Sequence, residues 1–126
     1  MNENQYTIND DGIIRKFNTG ATRDTAEDKL DYDGFLSPLA VRRFAEYMHK
    51  NRLQTDGSLR DSDNWQKGIP QDVYMKSMWR HFMSVWEGHR GLSNNQIEDL
   101  CALMFNVQGM LHELLVNQKK EQSNEI

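Results

Sequence analysis

Cysteine is almost absent from this chain. Cys101 stands alone among 126 residues, which excludes an intrachain disulfide and any CxxC metal knuckle and fits a reducing compartment. Proline is scarce as well, and both copies, Pro38 and Pro70, sit where a helix is expected to begin. No apolar run is long enough to span a bilayer, and the first residues lack the apolar stretch of a secretory leader, so the expected location is cytoplasmic. Positive charge is in deficit: 15 Lys and Arg against 19 Asp and Glu give a net charge of −4. That balance argues against a non-specific binder of duplex nucleic acid or of an anionic membrane, both of which require a basic face. Repeats and low-complexity tracts are missing too.

What remains is a polar chain, of mean hydropathy −0.82, whose apolar residues concentrate between Phe35 and Val116. The expectation is one domain over residues 1–126: a loose arm at 1–11, a helical body at 12–116 and a polar tail at 117–126 that frays. Ile13 and Ile14 suit an edge strand or an extended arm, and residues 17–34 read as an ordered loop. Ser37 can cap a first helix with Pro38 at its first position, and Val41, Phe44, Ala45 and Met48 follow at helical spacing until the pattern fades near Asn51. A loop at 54–68 carries a lone Trp65, and its length suggests function.

Pro70 opens a second helix with two adjoining stripes, Tyr74-Met78-His81-Val85 and Trp79-Phe82-Trp86, so it is expected to be covered on more than one side. Gly88 and Gly91 end it. Ser93 and Gln96 fit a capping box for a third helix, where Leu100, Leu103, Met104, Val107, Leu111 and Leu114 make the strongest stripe in the chain. The fold expected is all-α: a small bundle of three main helices with a long N-terminal arm and loop. Its aromatic surface would gain from oligomerisation.

Some residues carry chemistry as well as structure. The stretch Phe17-Asn18-Thr19-Gly20-Ala21-Thr22-Arg23-Asp24 places hydroxyls, a glycine and an arginine ahead of the first helix, the ingredients of an anion-binding loop. Thr19 and Arg23 are its candidate ligands, with Lys29 as a further cation. Trp65 either plugs its loop onto the bundle or stacks on a flat ligand; Asn64 and Lys67 flank it. His81 on an apolar face is either a core histidine or a base working near neutral pH. Glu98 and Asp99 suit the positive N-terminus of the third helix. Cys101 reads as a packing residue, and Glu46 with His49 as a surface pair.

An ordered set of short motifs runs through the body. It comprises Phe17-Asn18-Thr19-Gly20-Ala21 with Arg23-Asp24, Leu36-Ser37-Pro38 with Arg43, Asn64-Trp65 with Lys67-Gly68-Ile69-Pro70, Arg80-His81, and Glu98-Asp99 with Asn106. In this order the chain resembles the phage dATP/dGTP diphosphohydrolases, a MazG-like family that includes MazZ-type enzymes. The resemblance implies an all-α, usually oligomeric, metal-dependent enzyme that converts a purine deoxynucleoside triphosphate to the monophosphate and pyrophosphate. If the gene is phage-borne, the site of action would be the host cytoplasm.

That chemistry needs carboxylates for Mg²⁺ or Mn²⁺, an activated water, and cations for phosphate charge. The resemblance implies Asp99 and Glu98 as metal ligands, with Glu87 a possible third, and His81, Asp99 and Glu98 as catalytic groups. It implies Thr19, Arg23, Lys29, Asn64, Trp65, Lys67 and Asn106 as the substrate-binding set. MazG-type enzymes carry ExxE on one helix and ExxD on the next; neither spacing occurs here, and Glu98-Asp99 comes nearest. The alternative is a non-catalytic protein that sequesters a nucleotide, or a cyclic or ADP-ribose-type signal. Either way the expected partners are a purine nucleotide and further copies of the chain, with no membrane and no specific duplex.

Overall fold

A computed structural model describes residues 4–9, 12–24 and 28–124. The chain divides into two compact units, residues 1–37 and 38–126.

The N-terminal unit holds a three-stranded antiparallel sheet of order β1-β2-β3, with β1 at Asn4–Asn9, β2 at Gly12–Phe17 and β3 at Thr22–Asp24. The loose arm expected at 1–11 is therefore a strand over 4–9; residues 1–3, 10 and 11 lie outside the described set. The Ile13-Ile14 pair falls in β2, opposite Ile8 and Thr7. The stretch read as an anion-binding loop is the turn of the β2–β3 hairpin. The Phe17 amide donates to the Ala21 carbonyl and the Gly20 amide to the Phe17 carbonyl, while Gly20 takes a φ of +90°. That φ explains the glycine without a ligand. A one-turn helix, α1 at Tyr32–Phe35, follows, capped by the Asp31 carboxylate, which accepts from the Gly34 amide at 2.8 Å. Tyr32, at its start, is exposed.

The second unit is helical: α2 at Pro38–Lys50, α3 at Gln71–His89 and α4 at Gln96–Asn124. The expected starts at Pro38 and after Pro70 hold, and α2 fades as its spacing indicated. Past the end of α3, Gly91 adopts a φ of +77° and the Leu92 amide returns to the Glu87 carbonyl, a left-handed stop that glycine makes without strain. Two expectations fail at α4. The Asp99 amide bonds the Asn95 carbonyl, which makes Asn95 and not Ser93 the cap residue. The polar tail does not fray at 117: Gln, Lys and Glu are good helix formers and carry α4 on to Asn124. No described helix is long and apolar enough to cross a membrane.

The packed interior is small, and α4 runs through it against both α3 and α2. Tyr74 of α3 is 1% exposed, and Cys101, Ala102, Asn106 and Gly109 of α4 are buried. Gly109 is where the two helices meet most closely: a Cβ there would lie 2.5 Å from Tyr74 ring atoms and its hydroxyl oxygen. Cys101 packs as expected, its sulfur 4.0 Å from the Arg43 carbonyl. The strongest stripe, however, does not face this interior. Of its members Leu103 is half-buried; Leu100, Met104, Val107, Leu111 and Leu114, with Ile97, are exposed, as are Trp79, Phe82 and Trp86 of α3.

Candidate functional site

The helical unit contains a cavity of about 550 Å³, within the range of ~300–1,000 Å³ usual for small-molecule sites. One wall is the C-terminal half of α2, with Tyr47, Met48 and His49, and Phe105 of α4 contributes to the lining. The rest is the segment between α2 and α3, which is ordered in two pieces. First, a tight hairpin closes on the bridge Leu53↔Leu59, with Gly57 at a φ of +87°. Next, a single 3₁₀ turn at Asn64–Lys67 ends on Gly68 at a φ of +115°. These pieces bring Arg52, Arg60, Asp61, Ser62, Asn64 and Trp65 to the cavity.

Trp65 is half-buried and sets its ring edge-on to His112 of α4, with centroids 4.9 Å apart and planes at 71°. The tryptophan is thus pinned to the bundle, as the first of the two readings made from sequence expected, and it lines the cavity as well. Across the hairpin, the Arg60 amide donates to the Arg52 carbonyl at 2.9 Å and the Arg52 Nε returns to the Arg60 carbonyl at 2.7 Å. The Tyr47 hydroxyl is held above its ordinary pKa, chiefly by burial and then by the nearby charges of Glu98 and Asp99. The acidic first turn of α4 therefore lies within electrostatic reach of the cavity wall.

Glu98 does not stand free as a metal ligand. One carboxylate oxygen accepts from Arg43, and the other accepts from Lys50 Nζ at 2.7 Å, so both atoms are engaged by α2. The lysine and arginine hold its carboxyl below the usual range. Asp99, beside it, is half-buried and outside these ion pairs. Asn106 is buried at 3% exposure, and its amide donates to the Ala102 carbonyl of its own helix at 2.9 Å. His81 is half-buried and Glu87 exposed on α3; with Lys67, Asp99 and Asn106, they do not line the cavity. Thr19, Arg23 and Lys29 belong to the N-terminal unit and are exposed there. Of the residues singled out from sequence, the cavity thus gathers Asn64 and Trp65. It also takes His49, read from sequence as half of a surface pair, and adds Tyr47, Arg52, Arg60, Asp61 and Ser62; the signal for the last three was the length and polarity of the loop itself.

Among the described residues no three His, Cys, Asp or Glu side chains gather into a group that would hold a metal ion. The chain matches, over residues 19–124, a family model described as dATP/dGTP diphosphohydrolase, N-terminal. No curated protein and no solved structure matches it.

Proposed function

The chain belongs to the dATP/dGTP diphosphohydrolase N-terminal family, and from that premise we propose that it hydrolyses a purine deoxynucleoside triphosphate to the monophosphate and pyrophosphate. The observation that carries the location is the cavity lined by Trp65 and Asn64. An indole fixed at one edge by His112 offers a flat apolar surface for a base, and the Asn64 side chain offers both a donor and an acceptor for its edge.

The described residues do not build a resident site for Mg²⁺ or Mn²⁺, and Glu98 does not fit the part of ligand while both its oxygens are held by cations. Magnesium is commonly bound through one or two carboxylates together with substrate phosphates rather than in an all-protein cage. We therefore propose that a divalent ion arrives with the nucleotide, and that Asp61, which lines the cavity as Asp99 does not, is the carboxylate that meets it.

The outward stripes support a homo-oligomer. Three aromatics of roughly 200 Å² each, half or more exposed, leave about 300 Å² of α3 open. The six apolar residues on α4 add a second exposed stripe, against the ~800 Å² per partner that a stable interface buries. The α4 set recurs at alternating three- and four-residue steps, the spacing by which helices pair side by side, so the occupant we propose is a second copy of the chain.

Incubation with dATP or dGTP and Mg²⁺ or Mn²⁺, followed by chromatography, tests the reaction. Deoxynucleoside monophosphate and pyrophosphate are expected, with Asp61→Asn lowering the rate on the order of 100-fold while the fold, followed by circular dichroism, is retained. A second reading, sequestration without turnover, is favoured by the engagement of Glu98. It predicts stoichiometric binding and recovery of intact nucleotide on denaturation.

A further inference from the structure

Resting on the nucleotide reading of the cavity, we propose that Arg52 and Arg60 form its polyphosphate subsite. The bridge Leu53↔Leu59 places Arg52 and Arg60 directly opposite each other in the next position of the same antiparallel pair, which puts their side chains on one face. Like charges directly opposed across a strand pair destabilise it, so this hairpin carries a cost that its own packing does not explain. Both arginines line the cavity. The ion pairs among the described residues are those of Glu98 with Arg43 and Lys50, so neither Arg52 nor Arg60 is neutralised by one. Asp61, on the same cavity, is the carboxylate nearest in sequence, and Ser62 and His49 add further polar groups there.

Two guanidinium groups converging on one cavity match the oxygens of adjacent phosphoryl groups, because each fork donates two parallel hydrogen bonds. The Arg52 Nε bond to the Arg60 carbonyl fixes one fork in advance and leaves its terminal nitrogens for the ligand. With the base against Trp65, the nucleotide is oriented with its phosphates toward the hairpin. A second opposed pair, Arg15 and Arg23, lies on the β2–β3 hairpin. Arg23 is exposed there, Arg15 lies over the Phe17 ring, and neither lines the cavity that holds Trp65. The subsite is thus assigned to the hairpin at 52–60 and not to the stretch at 17–24 that sequence suggested.

Calorimetric titration of the full chain with sodium tripolyphosphate, dATP and dAMP, in EDTA so that no nucleotide is consumed, tests the assignment. Arg60→Gln, at an exposed position that does not endanger folding, is expected to weaken tripolyphosphate on the order of tenfold or more. Arg52→Lys, which keeps the charge but loses the fork, is expected to fall between. In Arg60→Gln the ratio of dATP to dAMP affinity should collapse by a similar factor. The assignment is overturned if Arg60→Gln and Arg52→Lys bind tripolyphosphate as the unmodified chain does, if they weaken dATP and dAMP equally, or if Arg23→Gln abolishes tripolyphosphate binding instead. Failure of the unmodified chain to bind any of the three probes, in EDTA and again with added Mg²⁺, would overturn the nucleotide reading together with the subsite. Tight dATP binding that is indifferent to both arginines would remove the subsite alone.

Discussion

Glu98 shows how much one side chain's surroundings decide its role. From sequence it is an acid in the first turn of a helix, equally suited to a dipole or to a metal; in the fold, α2 supplies two cations that take it. Those cations depress its pKa relative to the unfolded chain, so the stabilisation is complete above the ordinary Glu value of about 4.3 and is lost as pH falls through the lower folded value. Thermal melts between pH 7 and pH 3 should therefore show a steeper fall in Tm for the unmodified chain than for Glu98→Gln. Parallel curves would mean the pairs contribute nothing. Gly109 is the other decisive residue. Alanine in place of a helical glycine ordinarily adds up to about 1 kcal/mol of stability, but here the new methyl meets the Tyr74 ring. Gly109→Ala is expected to destabilise by roughly 1–3 kcal/mol in denaturant unfolding. Tyr74→Phe removes a buried hydroxyl that has no hydrogen-bond partner among the described residues and should be neutral or mildly stabilising.

At the scale of the element, the starts of α2 and α3 and the stop of α3 were legible because proline and glycine act locally: Pro38, Pro70 and Gly91 fixed them without help from the rest of the chain, whereas both ends of α4 were not. The hairpin at Gly20 was not recognised as one, since a glycine flanked by small polar residues makes a tight turn as readily as an anion cradle. Periodicity located one stripe on α4, and it is not the face that turns inward. The inner face, with Cys101, Ala102 and Gly109, is made of small residues that admit close approach and carry little hydropathy. The outer face has the larger apolar groups and dominated the pattern. Val107→Glu with Leu111→Glu tests that outer face. Light scattering should show a multiple of 14.8 kDa for the unmodified chain and the single mass for the variant.

For the molecule as a whole, the family and the mostly helical fold were readable from an ordered set of short motifs. The cavity was not, because Tyr47, Arg52, Arg60 and Phe105 become neighbours only when the 52–60 hairpin folds back beside α2 and α4. Trp65 and Asn64 could be picked out, as an aromatic in a polar loop has few other reasons to be there. Trp65→Ala is accordingly expected to weaken dATP and dAMP alike, by on the order of tenfold, in the same calorimetric titration.

The exposed stripe on α4 also makes the protein's own abundance a thermodynamic variable. If copies cover that stripe for one another, folding and association are one equilibrium, and the melting temperature rises with the logarithm of protein concentration. A sample diluted to nanomolar levels for an assay would then be a different population from the one in the calorimeter. Specific activity that falls on dilution would report the loss of neighbours and not the loss of chemistry.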